Sequence, residues 1–232
     1  MPKISVIMPV FIFSPPQIRW MEEAIESIQQ QTFQDWELII VDDGSQLDFK
    51  EAIPLDNRIK VYHKEHGGVA KARNFGLSKM KGEFYTAQDA DDSSDPERLE
   101  LMLNALEKKK ADMCFSDMYI CSMDKYDLTV RKTGKFDGKR LAKEQNIPYF
   151  VMVRKSKMVK YRDRYTANDD WMFIVDLVVN GCKVVKVSKP LMIYRRNPMS
   201  VSCRTMYDGR KERELKWCHE DINKVKNKLE KL

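Results

Sequence analysis

The sequence predicts an α/β protein, a mostly parallel central sheet with helices on both faces. Two observations carry this. Short runs of branched apolar residues alternate with segments whose apolar residues recur three and four apart, the β-α-β-α order of an open sheet. In addition, three of the expected strands end in turn-forming or acidic residues rather than in more apolar sequence.

The elements follow in order. Ile4–Met8 is a buried strand stopped by Pro9, and Met21, Ala24, Ile25 and Ile28 give the next segment a helical apolar stripe. Glu37–Val41 is a second buried strand, closed by Asp42-Asp43-Gly44-Ser45. Arg58–Tyr62 alternates as a third strand, and Val69–Met80 forms a helix after Gly67-Gly68. Glu83–Ala87 is a fourth strand that runs into acids. Asp95 reads as a helix N-cap with Pro96 at the first helical position, and Leu99, Met102, Leu103 and Leu106 supply that helix's inner face. Asp112–Tyr119 is a fifth strand. The segment 119–138 is polar and turn-rich, a hairpin or a loop. Trp171–Asn180 forms a helix ended by Gly181, and Val184–Val187 and Leu191–Tyr194 read as two further strands. In the tail, Leu215, Cys218, Ile222, Val225, Leu229 and Leu232 form a narrow apolar seam on one long helix. That seam suits docking on its own domain, a dimer contact or a membrane surface. The expected organisation is one domain over 1–208, with halves at 1–118 and 119–208, followed by an amphipathic helix over 209–232.

The 232 residues suit one or at most two compact domains, and 43% apolar with 33% charged residues is ordinary for a globular protein. No apolar run approaches the roughly 20 residues that span a bilayer. No signal-peptide pattern opens the chain. Five cysteines with no C-x-x-C pair argue against a disulfide framework or a cysteine zinc site, and fit a reducing cytosol or the inner membrane surface. The net charge of +6 suits an anionic substrate, a membrane or a solvated basic surface; no nucleic-acid motif accompanies it.

Ligands of open α/β sheets bind beyond the carboxyl ends of the strands. Pro9-Val10-Phe11, Asp42-Asp43-Gly44-Ser45 and Asp89-Ala90-Asp91-Asp92 all follow strands, so three distant segments converge on one rim. Two of them carry carboxylates. Converging carboxylates of this kind suit a hard divalent cation, Mg²⁺ or Mn²⁺.

The sequence resembles inverting family 2 glycosyltransferases. The resemblance is carried by Ser5–Val10, Gln31-Thr32-Phe33, Glu37–Ser45, Gly68–Asn74 and Lys81–Phe84. It continues through Asp89-Ala90-Asp91-Asp92, Asp169-Asp170-Trp171 and Tyr194–Ser202. It implies a GT-A type nucleotide-binding sandwich and metal-dependent transfer from a nucleotide sugar to a hydroxyl of a glycan, lipid-linked or protein acceptor, in glycan or polysaccharide synthesis. By the same resemblance Asp91 is the direct metal ligand, Asp89 faces ribose or a metal-bound water, and Asp43 accepts a hydrogen bond from the base, usually uracil N3–H. GDP and dTDP donors stay open. Pro9 and Phe11 flank the base, and Arg73 meets base or phosphates. Asp170 is the expected general base, beside Asp169 in the acceptor site; neighbouring acids raise one another's pKa, which favours a base. Trp171 stacks on an acceptor sugar or packs in the core. The sequence departs from the family twice: the segment Phe11–Pro16 is longer than usual, and Asn197 stands where a histidine is common, so it offers an oxygen ligand but no cation. A dehydrogenase or nucleotidyltransferase would show a glycine-rich phosphate loop after the first strand, and Pro9–Pro16 holds no glycine. A silent nucleotide-sugar-binding protein is the main alternative.

Overall fold

The computed structural model describes residues 1–122 and 128–232. It is an α/β structure of the GT-A type. The elements run β1 (Ile4–Val10), α1 (Pro15–Gln29), β2 (Trp36–Asp42), β3 (Ile59–His63), α2 (Val69–Lys79), β4 (Phe84–Ala87), β5 (Ser93–Ser94) and α3 (Arg98–Lys109). Then come β6 (Met113–Ser122), β7 (Leu128–Arg131), α4 (Gly138–Leu141), β8 (Met152–Arg154), α5 (Asp169–Val179), β9 (Val184–Arg196), α6 (Val201–Tyr207) and α7 (Arg210–Leu229). One sheet has the order β3-β2-β1-β4-β8-β6-β9-β5, with β7 on β6. β3, β2, β1 and β4 are mutually parallel, as are β6 and β9; β8 joins the two groups antiparallel to both.

Period-two alternation sorts the strand residues onto two cores. Val6, Met8, Leu38 and Ile40 pack with α1 and α3 on one face, and Ile7, Ile39 and Val41 with α2, α5 and α7 on the other. α2 lies so close to β1 that a methyl group added at Gly76 would come within 2.5 Å of Ile7 Cγ2. Without a larger residue there, the helix that opens at the cleft can sit directly on the strand that ends at it.

Two local expectations shift, and two that were left open are decided. Asp95 does not cap α3, which begins at Arg98. The Asp95 carboxylate instead accepts from Glu97 N at 3.0 Å, and its backbone N–H donates to Leu191 O at 3.1 Å. The acid therefore turns the chain at the sheet edge before the helix starts. The two strands expected over 184–194 are one strand, β9, whose register against β6 shifts beside Pro190. Proline cannot donate to the ladder, so the strand bends there without ending. The segment after Tyr119 is the β6–β7 hairpin, with Met118 opposite Arg131 and Cys121 opposite Leu128; its turn lies outside the described residues. The tail seam is taken up internally. Cys218, Ile222 and Leu229 are buried and Leu215 and Val225 pack beside them, whereas Leu232 is exposed. An apolar stripe already covered by its own domain does not serve as a dimer or membrane face.

Cys114, Cys182 and Cys218 are buried thiols. Among the described residues no helix is long and apolar enough to cross a membrane.

Candidate active site

A cleft of about 870 Å³ opens beyond the carboxyl ends of β1, β2 and β4. Pro9, Phe11, Asp43, Arg73, Asp89, Asp91, Asp169, Asp170 and Asn197 all line it. Residues up to 188 positions apart in sequence thus share one cavity, because the parallel strands β1, β2, β4 and β9 deliver their carboxyl ends to the same rim.

At one end, the turn after β2 places Asp43 against the loop that precedes α2. Its carboxylate accepts from Gly68 N at 2.7 Å and Gly67 N at 3.1 Å, and pairs with Lys64 and with His66 Nδ1. About four lone-pair sites make up a carboxylate's capacity, so Asp43 meets it within the protein. A nucleobase N–H would have to share or displace one of these donors. Asp42 points the other way, to Ser45 N at 2.8 Å and His63 at 2.9 Å. Phe11 stacks on His66, ring centroids 4.4 Å apart and planes at 30°. His66 was not legible as a site residue; its position just before Gly67-Gly68 was the available signal.

In the centre, ligand atoms of Asp89, Asp91 and Asp92 lie within 4.8 Å of one another. Their roles differ. Asp92 is buried and spent on structure, accepting from Arg195 N at 2.7 Å and Tyr149 Oη at 2.8 Å. Asp91 accepts from Asn197 Nδ2 at 2.7 Å. Burial, aided by the neighbouring Asp89 charge, pushes the Asp91 carboxyl up to about 6. Asn197 is 2% exposed and its Oδ1 has no hydrogen-bond partner. An orphaned buried carbonyl oxygen beside converging carboxylates is a donor set of the kind that hard divalent cations take. The loop is held from below by Arg98, wholly buried, which donates to Gln88 Oε1 at 2.8 Å, Thr86 Oγ1 at 2.7 Å and Ala87 O at 2.8 Å. Nothing in the helical pattern of α3 distinguished Arg98 from an exposed arginine.

At the far end, Asp169 and Asp170 open α5. Asp170 Oδ1 accepts from Trp171 N at 2.8 Å and Oδ2 from Gln145 at 2.5 Å. Arg73, 4% exposed, donates to Asp169 Oδ2 at 2.5 Å and to Asp89 Oδ1 at 2.7 Å. It therefore ties the acidic loop after β4 to the acidic pair of α5, and both its terminal nitrogens are engaged by carboxylates. Burial raises the pKa of the Asp169–Asp170 pair above the ordinary carboxylate range, with Arg73 pulling against it. Trp171 is not an acceptor platform. It is 1% exposed, its indole Nε1 donates to Leu141 O at 3.0 Å, and it does not line the cleft. The helical turn that presents Asp170 to the cavity carries the next residue into the core.

The family model Glycosyl transferase family 2 matches residues 5–166. The chain belongs to this family. Among family relatives, glycosyltransferase GlyG of Streptococcus pneumoniae is 27% identical, covering 97% of this chain and 79% of its own. A glycosyltransferase of Rickettsia bellii is 38% identical over 109 residues, 46% of this chain and 15% of its own. A solved structure of S. aureus TarS 1-349 in complex with UDP-GlcNAc superposes with a TM-score of 0.70 at 18% identity, covering 86% of this chain and 60% of that one. At that identity the likeness shows the fold, and the chain spans only part of these larger relatives.

Proposed function

We propose that this glycosyltransferase moves a sugar from a UDP-sugar to an acceptor hydroxyl, with inversion and with a bound Mg²⁺ or Mn²⁺. The observation that carries the reading is the Arg73 bridge, which joins the Asp89 loop and the Asp169–Asp170 pair across one cleft. TarS, of the same fold, has been solved with UDP and with UDP-GlcNAc, which supports a uridine donor.

In this reading Phe11 and His66 hold the base, and Asp43 anchors the loop beside it. Asp91, Asp89 and the Asn197 Oδ1 would hold the divalent cation. When bound, the cation supplies electrostatic stabilisation of charge on the leaving diphosphate. Asp170 takes the proton from the acceptor hydroxyl as its oxygen attacks the anomeric carbon, while Gln145 fixes the carboxylate's orientation. Asp169, neutralised by Arg73, completes the wall of the acceptor side. The raised pKa of the acidic pair makes Asp170 a stronger base than a solvated aspartate.

The test is a panel of nucleotide sugars with Mn²⁺ or Mg²⁺, scored by nucleotide release and by thermal stabilisation. Asp91→Ala is expected to abolish metal-dependent donor binding. Asp170→Asn is expected to keep donor binding and to lower turnover by about 10²–10⁴-fold, the usual contribution of a general base. Transfer by Asp170→Asn at the wild-type rate would refute the base assignment.

A further inference from the structure

α5 lacks a local cap. Its N-cap residue Asn168 accepts no side-chain capping bond, and the backbone N–H groups that lead into the helix point away from their own neighbourhood. They converge on a residue of α7. Glu214 accepts from Thr166 N at 2.9 Å, Ala167 N at 2.9 Å and Asn168 N at 3.3 Å. Glu214 is 3% exposed. Successive N–H groups in a turn form a concavity that suits an anion, and here a side chain of the protein fills it. Hydrogen bonds to an ionised acceptor are roughly twice as strong as neutral ones, so three of them hold the segment firmly.

About two turns further along α7, Asp221 grips the start of the same segment. It accepts from Tyr165 Oη at 2.9 Å and pairs with Arg162 and Arg164. The segment 162–168 is thus held at two points by one helix, and the next two residues are Asp169 and Asp170. The matched family region ends at 166, so the holding helix lies beyond it.

We propose that Glu214 is a positioning residue for catalysis: by capping the chain at 166–168 it fixes where Asp170 stands against the acceptor. The inference rests on Asp170 being the general base. Reactive geometry is unforgiving, since a displacement of about 1 Å can cost about a hundredfold in rate. A helix that reaches the cleft with Arg210 and Lys211 one turn earlier, and holds the acidic pair with Glu214, couples the tail to the chemistry.

Glu214→Gln removes the charge and turns an amide group toward the three N–H donors. Glu214→Asp keeps the charge on a shorter stem, and Ile222→Ala weakens the docking of α7 through its apolar face and leaves the Glu214 carboxylate in place. Steady-state kinetics, UDP binding by calorimetry and peptide-level hydrogen exchange are measured on the full chain at a temperature where each variant is folded. Glu214→Gln is expected to speed exchange over 165–170 and to lower kcat by about ten- to a hundredfold, with the UDP Kd within about threefold of wild type. Its pH–rate profile is expected to move on the acid side. Glu214→Asp should recover part of kcat, and Ile222→Ala should lower Tm yet retain kcat. Wild-type exchange over 165–170 in Glu214→Gln, or equal kcat losses in Glu214→Gln and Ile222→Ala, would overturn the proposal. If Glu214→Gln fails to fold, the same comparison is made between Glu214→Asp and Ile222→Ala. Full turnover by Asp170→Asn would instead remove the base assignment, leaving the exchange result to judge the cap on its own.

Discussion

Replacing Arg73 by methionine removes a cation that two cleft carboxylates share. Arg73 bonds Asp169 at 2.5 Å and Asp89 at 2.7 Å, with Asp169 and Arg73 both nearly inaccessible to solvent. Breaking a buried pair by deleting one partner costs about 3–5 kcal/mol, because the remaining charge stays desolvated. Against a total stability of about 5–15 kcal/mol this is a large fraction. The loss has a definite pH dependence. Arg73 opposes the upward shift of the Asp169–Asp170 pair, so the variant's pair holds its proton to higher pH than the wild-type pair does. Across the interval between those two pKa values, the variant loses about 1.4 kcal/mol per pH unit relative to wild type for each proton retained. Below the interval both chains carry neutral acids and the penalty shrinks. Urea unfolding of Arg73→Met and wild type at pH 5 and pH 8 measures this, and the full destabilisation is expected only at pH 8. A penalty equal at the two pH values, or one below about 1 kcal/mol, would refute the charge-bridge account.

Three further outcomes are expected. Phe11→Ala removes the ring stacked on His66 and should weaken UDP binding by about two- to tenfold, the equivalent of a 0.5–1.5 kcal/mol aromatic contact, by calorimetry. Turnover at saturating donor should fall on acidification along a limb lying above the ordinary aspartate value near 3.9, because the base works deprotonated and burial raises its pKa; a limb centred at or below that value would contradict the geometry. Trp171→Phe should lower stability by about 1–2 kcal/mol through the lost bond to Leu141 and the volume removed, with acceptor KM unchanged, whereas a rise in KM would return Trp171 to the acceptor site.

The first half of the fold was legible because each element states itself locally. β1 and β2 are runs of branched apolar residues, and α1 carries its buried stripe at Met21, Ala24, Ile25 and Ile28 as the periodicity requires. The rim rule then sufficed to bring Asp43 and Asp91 together. What the pattern could not show were partnerships made at long range. Arg73, Arg98 and Glu214 look like ordinary polar positions of helices, and only packing shows that each is buried and bonded to backbone or to distant side chains. The β9 strand was split in reading because Pro190 marks a break in donors, whereas the chain keeps its direction through it. Trp171 was left between the acceptor site and the core because adjacency to Asp170 does not say which face of the helix it takes; its burial places it in the core.

β8 has a bearing on how this scaffold can be cut and recombined. It is three residues long, belongs by sequence to the later half, and forms the bridge between β4 and β6 of the earlier one. A fragment ending near residue 118 would therefore leave open strand borders along β4 and along β6, inviting self-association in place of an independently folded module. Grafting a different acceptor specificity onto this chain thus calls for exchange of the loops around β8, with Met152, Val153 and Arg154 left in place as the seam.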